Sequence, residues 1–498
     1  MNKKAFAFSC PVRLNVPSPD DKTADAERLT NALEDLGMYD VSIPLHILKR
    51  LPEELRKNRF GIKLVVGRIK HGYAVLDIGR ENVYGLAIDI GSTNIACSLF
   101  NLDSGEKTAT ITGENSQVKF GSDVLSRVQR SMLGESALLA GELLSCVNEL
   151  IGSICRGNNV SPDDIFAITV AGNTIMSHFF LGLDPRNLSV SPYIPAVNSP
   201  VFLYAGDAGV CVNKNAVIYV FPNAGSYVGG DIVSGILFCG IYREKEPVLF
   251  IDVGTNAEIT LGCSDWIMVG AGAAGPALED GIAGIGKKAD DGTISGVRID
   301  RRTKDISLEV ISGIEPVGIC GSGMTDLVSE LFSSGIIDQA GKFIESAKGV
   351  TDRDGEKAYM IFGSEDRKLF VSQREIKNFL LSKAAMFAFL YVFVRSVGLT
   401  FSDLKKVYIA GALGCGINLE HAINIGMLPD LPKERFMPVG NSSLGGAEML
   451  LLEENLLHDI EAIMPMITYR EMNEDPDLMN ALQGALFIPH TEPSMLKE

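Results

Sequence analysis

The chain of 498 residues carries 45 Lys plus Arg against 62 Asp plus Glu, a net charge of −17. So acidic a balance argues against a nucleic-acid or anionic-membrane partner, because phosphate-rich surfaces attract basic ones. The length allows two or three domains around a large core, and nine cysteines without a CxxC pair read as reduced thiols, with no local zinc or iron–sulfur signature.

The apolar run before Pro11 is too short for a signal-peptide core. The most hydrophobic segment, Ala384–Val394, stops at Arg395, short of the roughly 20 residues that span a bilayer. The expectation is a soluble, cytoplasmic protein.

Residues 1–84 read as a small α/β domain for docking or dimerisation. The pattern predicts a strand over Val12–Val16, a helix over Thr23–Leu36, more helix over Val41–Leu55 broken at Pro44 and Pro52, and paired strands Gly61–Val66 and Tyr73–Ile78. A first lobe, 85–245, begins with the apolar run into Asp89, the turn Gly91-Ser92-Thr93-Asn94, and a second strand Ile95–Phe100. Thr108–Thr112, Ile165–Val170 and Ala216–Val220 read as further strands, Ser122–Ile154 and Ile175–Leu181 as helices, Asp184–Pro200 as a loop, and a helix starts at Asp231.

A second lobe, 246–438, repeats the beginning: Val248–Val253 runs into Asp252, then Gly254-Thr255-Asn256, then Ala257–Leu261. Strands follow around Trp266–Val269 and within 287–312. Gly318–Gly323 opens a helix through Leu331, Ser372–Val397 is a long helix, and Lys406–Ile409 delivers Gly411-Ala412-Leu413-Gly414. Residues 439–498, with strand, glycine turn and helix over Val439–Leu452, are expected to return to the first lobe. A repeated β-β-β-α-β-α order implies two related α/β lobes.

Glycine turns with neighbouring hydroxyls offer backbone N–H groups to an anion that must approach closely. Asp89 and Asp252, at strand ends beside two such turns, suit Mg²⁺ held through its water shell. Two turns from opposite lobes would clamp a di- or triphosphate, and Gly411–Gly414 could pack on a base or ribose. There is no GxxxxGK[ST]. Gly270–Gly275 matches GxGxxG but lacks the following long helix of a dinucleotide fold. Asp231 reads both as a helix cap and as a carboxylate orienting the water that attacks a γ-phosphate. Lys383 reads as a snorkelling side chain or as a contact to ribose or adenine. His178 and His421 read as packing or capping residues, and Cys320 as a small residue without a redox partner.

With these pieces placed, the chain resembles the actin-like ATPase superfamily of sugar kinases, Hsp70 chaperones and actin. IDIGSTN (88–94) looks like phosphate motif 1, GGDIVSGIL (229–237) like the connecting segment with a catalytic carboxylate, IDVGTNAE (251–258) like phosphate motif 2, and IAGALG (409–414) like the adenosine motif. It is more closely similar to the ATP-dependent reductive activators of corrinoid proteins, through AGNTIMSHFFLGLDP (171–185), FPNAGSYVGGDIVSGIL (221–237), AAGPALEDGI (273–282), GICGSGMTDLVSEL (318–331), INIGMLPDLP (423–432) and FIPH (487–490), while residues 1–84, with LPEELR (51–56), are similar to that branch's small middle domain. Ala257 stands where Gly is common in the branch.

The resemblance implies an actin-like ATPase fold of two RNase H-like lobes preceded by a small α/β domain. It implies ATP and Mg²⁺ as cofactors; Asp231, Asp89 and Asp252 as catalytic; and Gly91, Ser92, Thr93, Asn94, Gly254, Thr255, Asn256, Gly321, Ser322, Gly323, Lys383, Gly411, Ala412 and Gly414 as nucleotide contacts. The implied activity is ATP-driven reduction of a corrinoid protein from Co(II) to Co(I) in a methyltransferase system, by a homodimer. Members usually carry an iron–sulfur cluster in a ferredoxin-like domain. No cysteine cluster occurs here, so the expectation is no iron–sulfur cluster in this chain and electrons from a separate or missing module. A small-molecule kinase of the same superfamily, or a nucleotide-dependent interaction protein without useful turnover, are the alternatives.

Overall fold

The computed structural model describes residues 4–121, 123–254, 257–272, 284–353, 355–411, 416–472 and 475–497. It divides into two compact units, Met1–Phe238 with Ser442–Pro465, and Cys239–Asn441 with Met466–Glu498.

The first unit opens with a four-stranded sheet. Strands β1 (Ala7–Arg13), β2 (Val41–Ser42), β3 (Gly61–Arg68) and β4 (Tyr73–Ile78) lie in the order β1-β3-β4-β2. The expected strand at Val12–Val16 begins earlier, at Ala7, because β1 pairs along all of β3, Ala7 opposite Gly67 and Arg13 opposite Gly61. Pro11 is tolerated there because β1 is an edge strand. The predicted helix over 41–55 resolves into β2 and two short helices, Leu45–Leu48 and Leu51–Lys57, with Pro44 at the N-cap of the first and Pro52 in the first turn of the second. Leu29, Leu33, Ile47 and Leu55 pack on Leu64, Val66 and Val75 as a core of this sheet's own.

Next come β5 (Tyr84–Ile90), β6 (Asn94–Asn101), β7 (Glu106–Glu114), β8 (Ile165–Gly172), β9 (Val201–Tyr204) and β10 (Val217–Val220), ordered β7-β6-β5-β8-β10-β9. The hairpin β5–β6 is antiparallel, whereas β5, β8 and β10 run parallel. Side chains alternate faces along a strand. Leu86, Ile88 and Ile90 therefore share one core with Leu139, Leu143 and Ile151 of the helix Ser136–Gly157, while Asp89 turns toward the helix Ser442–Leu452. The helix expected over 122–154 is interrupted: Val124–Arg130 passes into a π-helical turn, Ser131–Glu135, where Gly134 has φ 92°.

In the second unit, β11 (Val248–Val253), β12 (Ala257–Gly262) and β13 (Ile267–Gly272) form the meander that begins its main sheet. Two small sheets follow, β14 (Thr293–Ile299), β15 (Ile306–Val310) and β16 (Gly318–Ile319), then β17 (Val350–Arg353), β18 (Glu356–Gly363) and β19 (Lys368–Ser372). Strands β20 (Val407–Ala410), β21 (Phe436–Gly440) and β22 (Ile467–Tyr469) complete the main sheet, ordered β21-β20-β11-β12-β13-β22. Counted within each repeat, both main sheets read third, second, first, fourth, fifth, with one extra edge strand each. The duplicated sequence pattern is thus a duplicated topology.

The long helix Gln373–Arg395 starts with a capping box between Ser372 and Glu375 and buries Phe379, Phe387, Leu390 and Phe393 in the second core. Gly270 and Gly272 of β13 face Phe393 and Phe389 of this helix, so the GxGxxG match begins as a packing surface; its residues from 273 lie outside the described residues. By length and composition, Gln373–Arg395 and Val124–Gly157 would suit a membrane span, unlike the shorter apolar run expected. The apolar window of Gln373–Arg395 is 67% buried inside the protein.

The C-terminal region departs from expectation. Only Ser442–Pro465 belongs to the first unit; residues 466–498 belong to the second. There β22 pairs with β13, and the helix Pro476–Ala485 packs on Gln373–Arg395.

Candidate active site

In the first unit, β5 delivers Asp89 just before the Gly91–Thr93 turn, and β6 resumes at Asn94. Asn115 closes this turn from behind. Its Nδ2 donates to the Gly91 carbonyl at 2.9 Å, and its backbone N donates to the Thr93 carbonyl at 2.7 Å. Asp89 lies opposite Ala171 in the parallel strand β8, so its carboxylate sits at the carboxyl ends of the parallel strands, the usual ligand edge of an α/β sheet. Ser443 Oγ donates to Asp89 Oδ1 at 2.7 Å.

Asp231 stands in the first turn of the helix Gly230–Cys239, and its Oδ1 accepts from the Ile232 N at 2.8 Å. Asn223 supplies a cap instead, its Oδ1 accepting from the Gly230 N at 3.1 Å. Asp231 is thus one residue inside the helix rather than at its cap. A Cβ on Gly229 would fall 2.7 Å from the Thr174 N, so the helix start lies against the end of β8.

In the second unit, Asp252 lies opposite Ala410 of β20, and Gly411 follows with φ 69°. A Cβ at Gly411 would overlap the Val253 carbonyl and fall 2.6 Å from Asp252 Oδ1. Asp252 and the third glycine turn are therefore neighbours. Gly254 lies at the bend after β11, whereas Thr255, Asn256, Ala412 and Gly414 lie outside the described residues.

Gly321-Ser322-Gly323 begins the helix Gly321–Ser333, with Ser322 Oγ donating to the Ser295 carbonyl at 3.1 Å. Gly416, at the far side of the third turn, lies beside Ser322. His421 binds the two segments together: Nδ1 is 2.6 Å from Asp326 Oδ1 and Nε2 is 3.3 Å from Glu330 Oε1. Burial opposes charge on His421, but the Asp326 hydrogen bond and the charges of Asp326, Glu330 and Glu420 outweigh it and raise its pKa. Cys320 is buried, 3.1 Å from Ser322 Oγ.

Lys383 corrects the sequence reading. It is fully buried, and Nζ donates to the carbonyls of Ala485, Phe487 and Pro489 at 2.7, 2.8 and 2.6 Å. An ammonium has three donors, so Lys383 neither snorkels nor contacts a ribose; it holds the FIPH segment. Burial pulls its pKa down to about 7. His178 is also structural, held by the Thr174 carbonyl at 2.7 Å and accepting from the Ala196 N at Nε2, 2.9 Å away. With Nε2 accepting, the proton sits on Nδ1 and the ring is neutral, consistent with a pKa lowered by burial.

Among the described residues no group of three or more His, Cys, Asp or Glu side chains is placed to hold a metal ion. Asp89 in the first unit and Asp252 in the second each stand beside a glycine turn, and a single carboxylate of this kind suits a hard cation held through water rather than an all-protein cage. Asn115, Asn223 and Ser443 were not apparent from sequence, since Asn and Ser are ordinary turn and helix-start residues without their partners in view.

A repeated five-strand order with an Asp at the end of the first strand of each repeat defines the actin-like fold. Within it, the chain belongs to the RACo family. The family's ASKHA domain, its C-terminal domain, matches residues 246–498, its middle region 84–244 and its linker region 7–84. The small domain expected to be of middle type therefore corresponds to the linker. A solved structure described as a reductive activator for corrinoid, iron-sulfur protein matches with TM-score 0.90 and 34% identity over 99% of this chain and 81% of that one. The corrinoid activation enzyme RamQ of Eubacterium limosum is 30% identical over 84% of this chain and 74% of its own length. The [Co(II) methylated amine-specific corrinoid protein] reductase of Methanosarcina barkeri is 25% identical over 78% of this chain and 73% of its own.

Proposed function

We propose that this protein binds and hydrolyses Mg-ATP and uses it to drive reduction of a corrinoid protein from Co(II) to Co(I) in a methyltransferase system. The observation that carries the reading is the pair of Asp-ended hairpins at equivalent places in two sheets of one strand order, in a chain of the RACo family. Asp89 and Asp252 hold Mg²⁺ through water, the glycine turns bind phosphates, and Asp231 orients the attacking water, work that is positioning and electrostatics. One electron, from a ferredoxin-like iron–sulfur donor, converts Co(II) to Co(I). The nucleotide helps only by favouring the arrangement of the complex in which the cobalt accepts that electron. The protein acts in the cytoplasm as a homodimer.

The test mixes the protein with a Co(II) corrinoid protein, Mg-ATP and a strong low-potential reductant. ATP-dependent appearance of the Co(I) spectrum is expected, and Asp231→Asn should retain ATP binding but lose turnover. A spectrum indifferent to ATP overturns the reading; turnover that rises only with one small metabolite would make the protein a kinase.

A further inference from the structure

Ser443 stands 354 residues from Asp89 in sequence, yet its Oγ donates to Asp89 Oδ1 at 2.7 Å. Its own carbonyl accepts from Ser234 Oγ at 2.6 Å, and Ser234 lies on the helix whose first turn carries Asp231. Ser443 is 5% exposed and Ser234 fully buried, so both hydroxyls are shielded from bulk water. We infer that Ser443 is a positioning residue, fixing the Asp89 carboxylate and joining it to the Asp231 helix as one rigid arrangement.

Three features make the arrangement stiff. Thr169 Oγ1 donates to the Ala447 carbonyl at 2.8 Å, tying the Ser442–Leu452 helix to β8. Glu448 accepts from Ser98 Oγ at 2.6 Å and from Lys107 Nζ at 2.7 Å, tying the same helix to β6 and β7. At Gly446 a Cβ would overlap the Ser234 carbonyl, so only glycine lets the two helices touch where the Ser234–Ser443 link forms. A serine on a helix anchored in this way has little freedom, and a hydroxyl donated to a carboxylate both stabilises its charge and selects its rotamer. The segment that returns to the first unit, Ser442–Pro465, thereby supplies a working part of the site rather than only a buttress.

The inference rests on the reading of Asp89 as an Mg-ATP carboxylate. The experiment measures ATP hydrolysis against Mg²⁺ concentration in the full chain, with nucleotide affinity and thermal unfolding alongside. Ser443→Ala should raise the Mg²⁺ concentration for half-maximal rate about tenfold, the loss expected of one hydrogen bond to a charged group. Ser443→Thr, which keeps the hydroxyl, should restore much of it. Thr169→Ala removes an anchor of the same helix without touching Asp89; it should lower the unfolding temperature and shift the Mg²⁺ dependence far less than Ser443→Ala. If Ser443→Ala does not fold, Ser443→Cys, of similar size with a weak donor, decides by the same shift. An unchanged Mg²⁺ dependence in a folded Ser443 variant, or an equal shift in Thr169→Ala, overturns the inference. Wild-type protein without Mg²⁺-dependent hydrolysis overturns the underlying reading instead.

Discussion

His421 and Asp326 form the closest side-chain pair between the two helices that follow the glycine turns of the second unit, with Nδ1 and Oδ1 at 2.6 Å. Asn424 reinforces the pair through Ser329 and Ser333, at 2.8 and 3.1 Å. The imidazolium meets Asp326 and Glu330 on the facing helix and Glu420 beside it, and Glu420 is itself paired with Lys433 at 2.7 Å. A folded-state pKa above the ordinary histidine value means that the pair's contribution is complete below about pH 6.5 and fades as pH rises through the folded value. Thermal unfolding followed from pH 6 upward should show stability falling across that window, and His421→Gln should flatten the dependence. A wild-type profile as flat as the variant's would deny His421 this role.

Lys383 makes a different prediction. Replacing it with Met leaves three carbonyls of the Ala485–Pro489 segment without their donor. Each buried acceptor left unsatisfied costs about 1–3 kcal/mol, so urea unfolding should shift strongly and protease should cleave the C-terminal segment first. Nucleotide affinity should stay near wild type. Weakened nucleotide binding at unchanged stability would return Lys383 to the site.

Asn115 tests the phosphate-binding role proposed for the Gly91–Thr93 turn. It is fully buried and bonds to the carbonyls of Gly91 and Thr93, the two ends of the turn. Asn115→Ala removes the side-chain bond to Gly91 and leaves that carbonyl unpaired, at a cost of about 1–3 kcal/mol. Because the turn itself loosens, calorimetry should show ATP affinity falling more than adenosine affinity. An equal fall for both ligands would mean a general loss of fold.

What sequence could and could not reveal follows from the range of each interaction. The hairpins carrying Asp89 and Asp252 were legible because apolar alternation and a glycine turn are local signals. The edge strand β9 and the β17–β19 meander were not, because short, partly exposed strands show little alternation. The partners of Lys383 lie 102 to 106 residues away, so a lysine in an apolar helix could be seen while its role could not. The C-terminal region was misassigned for a similar reason: Ile467–Tyr469 gains its identity only by pairing with β13, roughly two hundred residues earlier.

The turn at Gly411 offers the most direct test of the second repeat. Its φ of 69° already disfavours any side chain, and a Cβ there would press on Asp252 Oδ1 at 2.6 Å. Gly398 has a similar φ of 76° but open space where its Cβ would go. Both Gly→Ala variants should therefore share a positive-φ cost of about 1 kcal/mol, visible in denaturant unfolding, to which Gly411→Ala adds the overlap with the Val253 carbonyl. Only Gly411→Ala should displace the Asp252 carboxylate, so only it should weaken Mg-ATP binding, by about tenfold if one charge-assisted contact is lost. Equal nucleotide affinity in the two variants would separate Asp252 from the nucleotide and leave the turn a purely structural feature of β20.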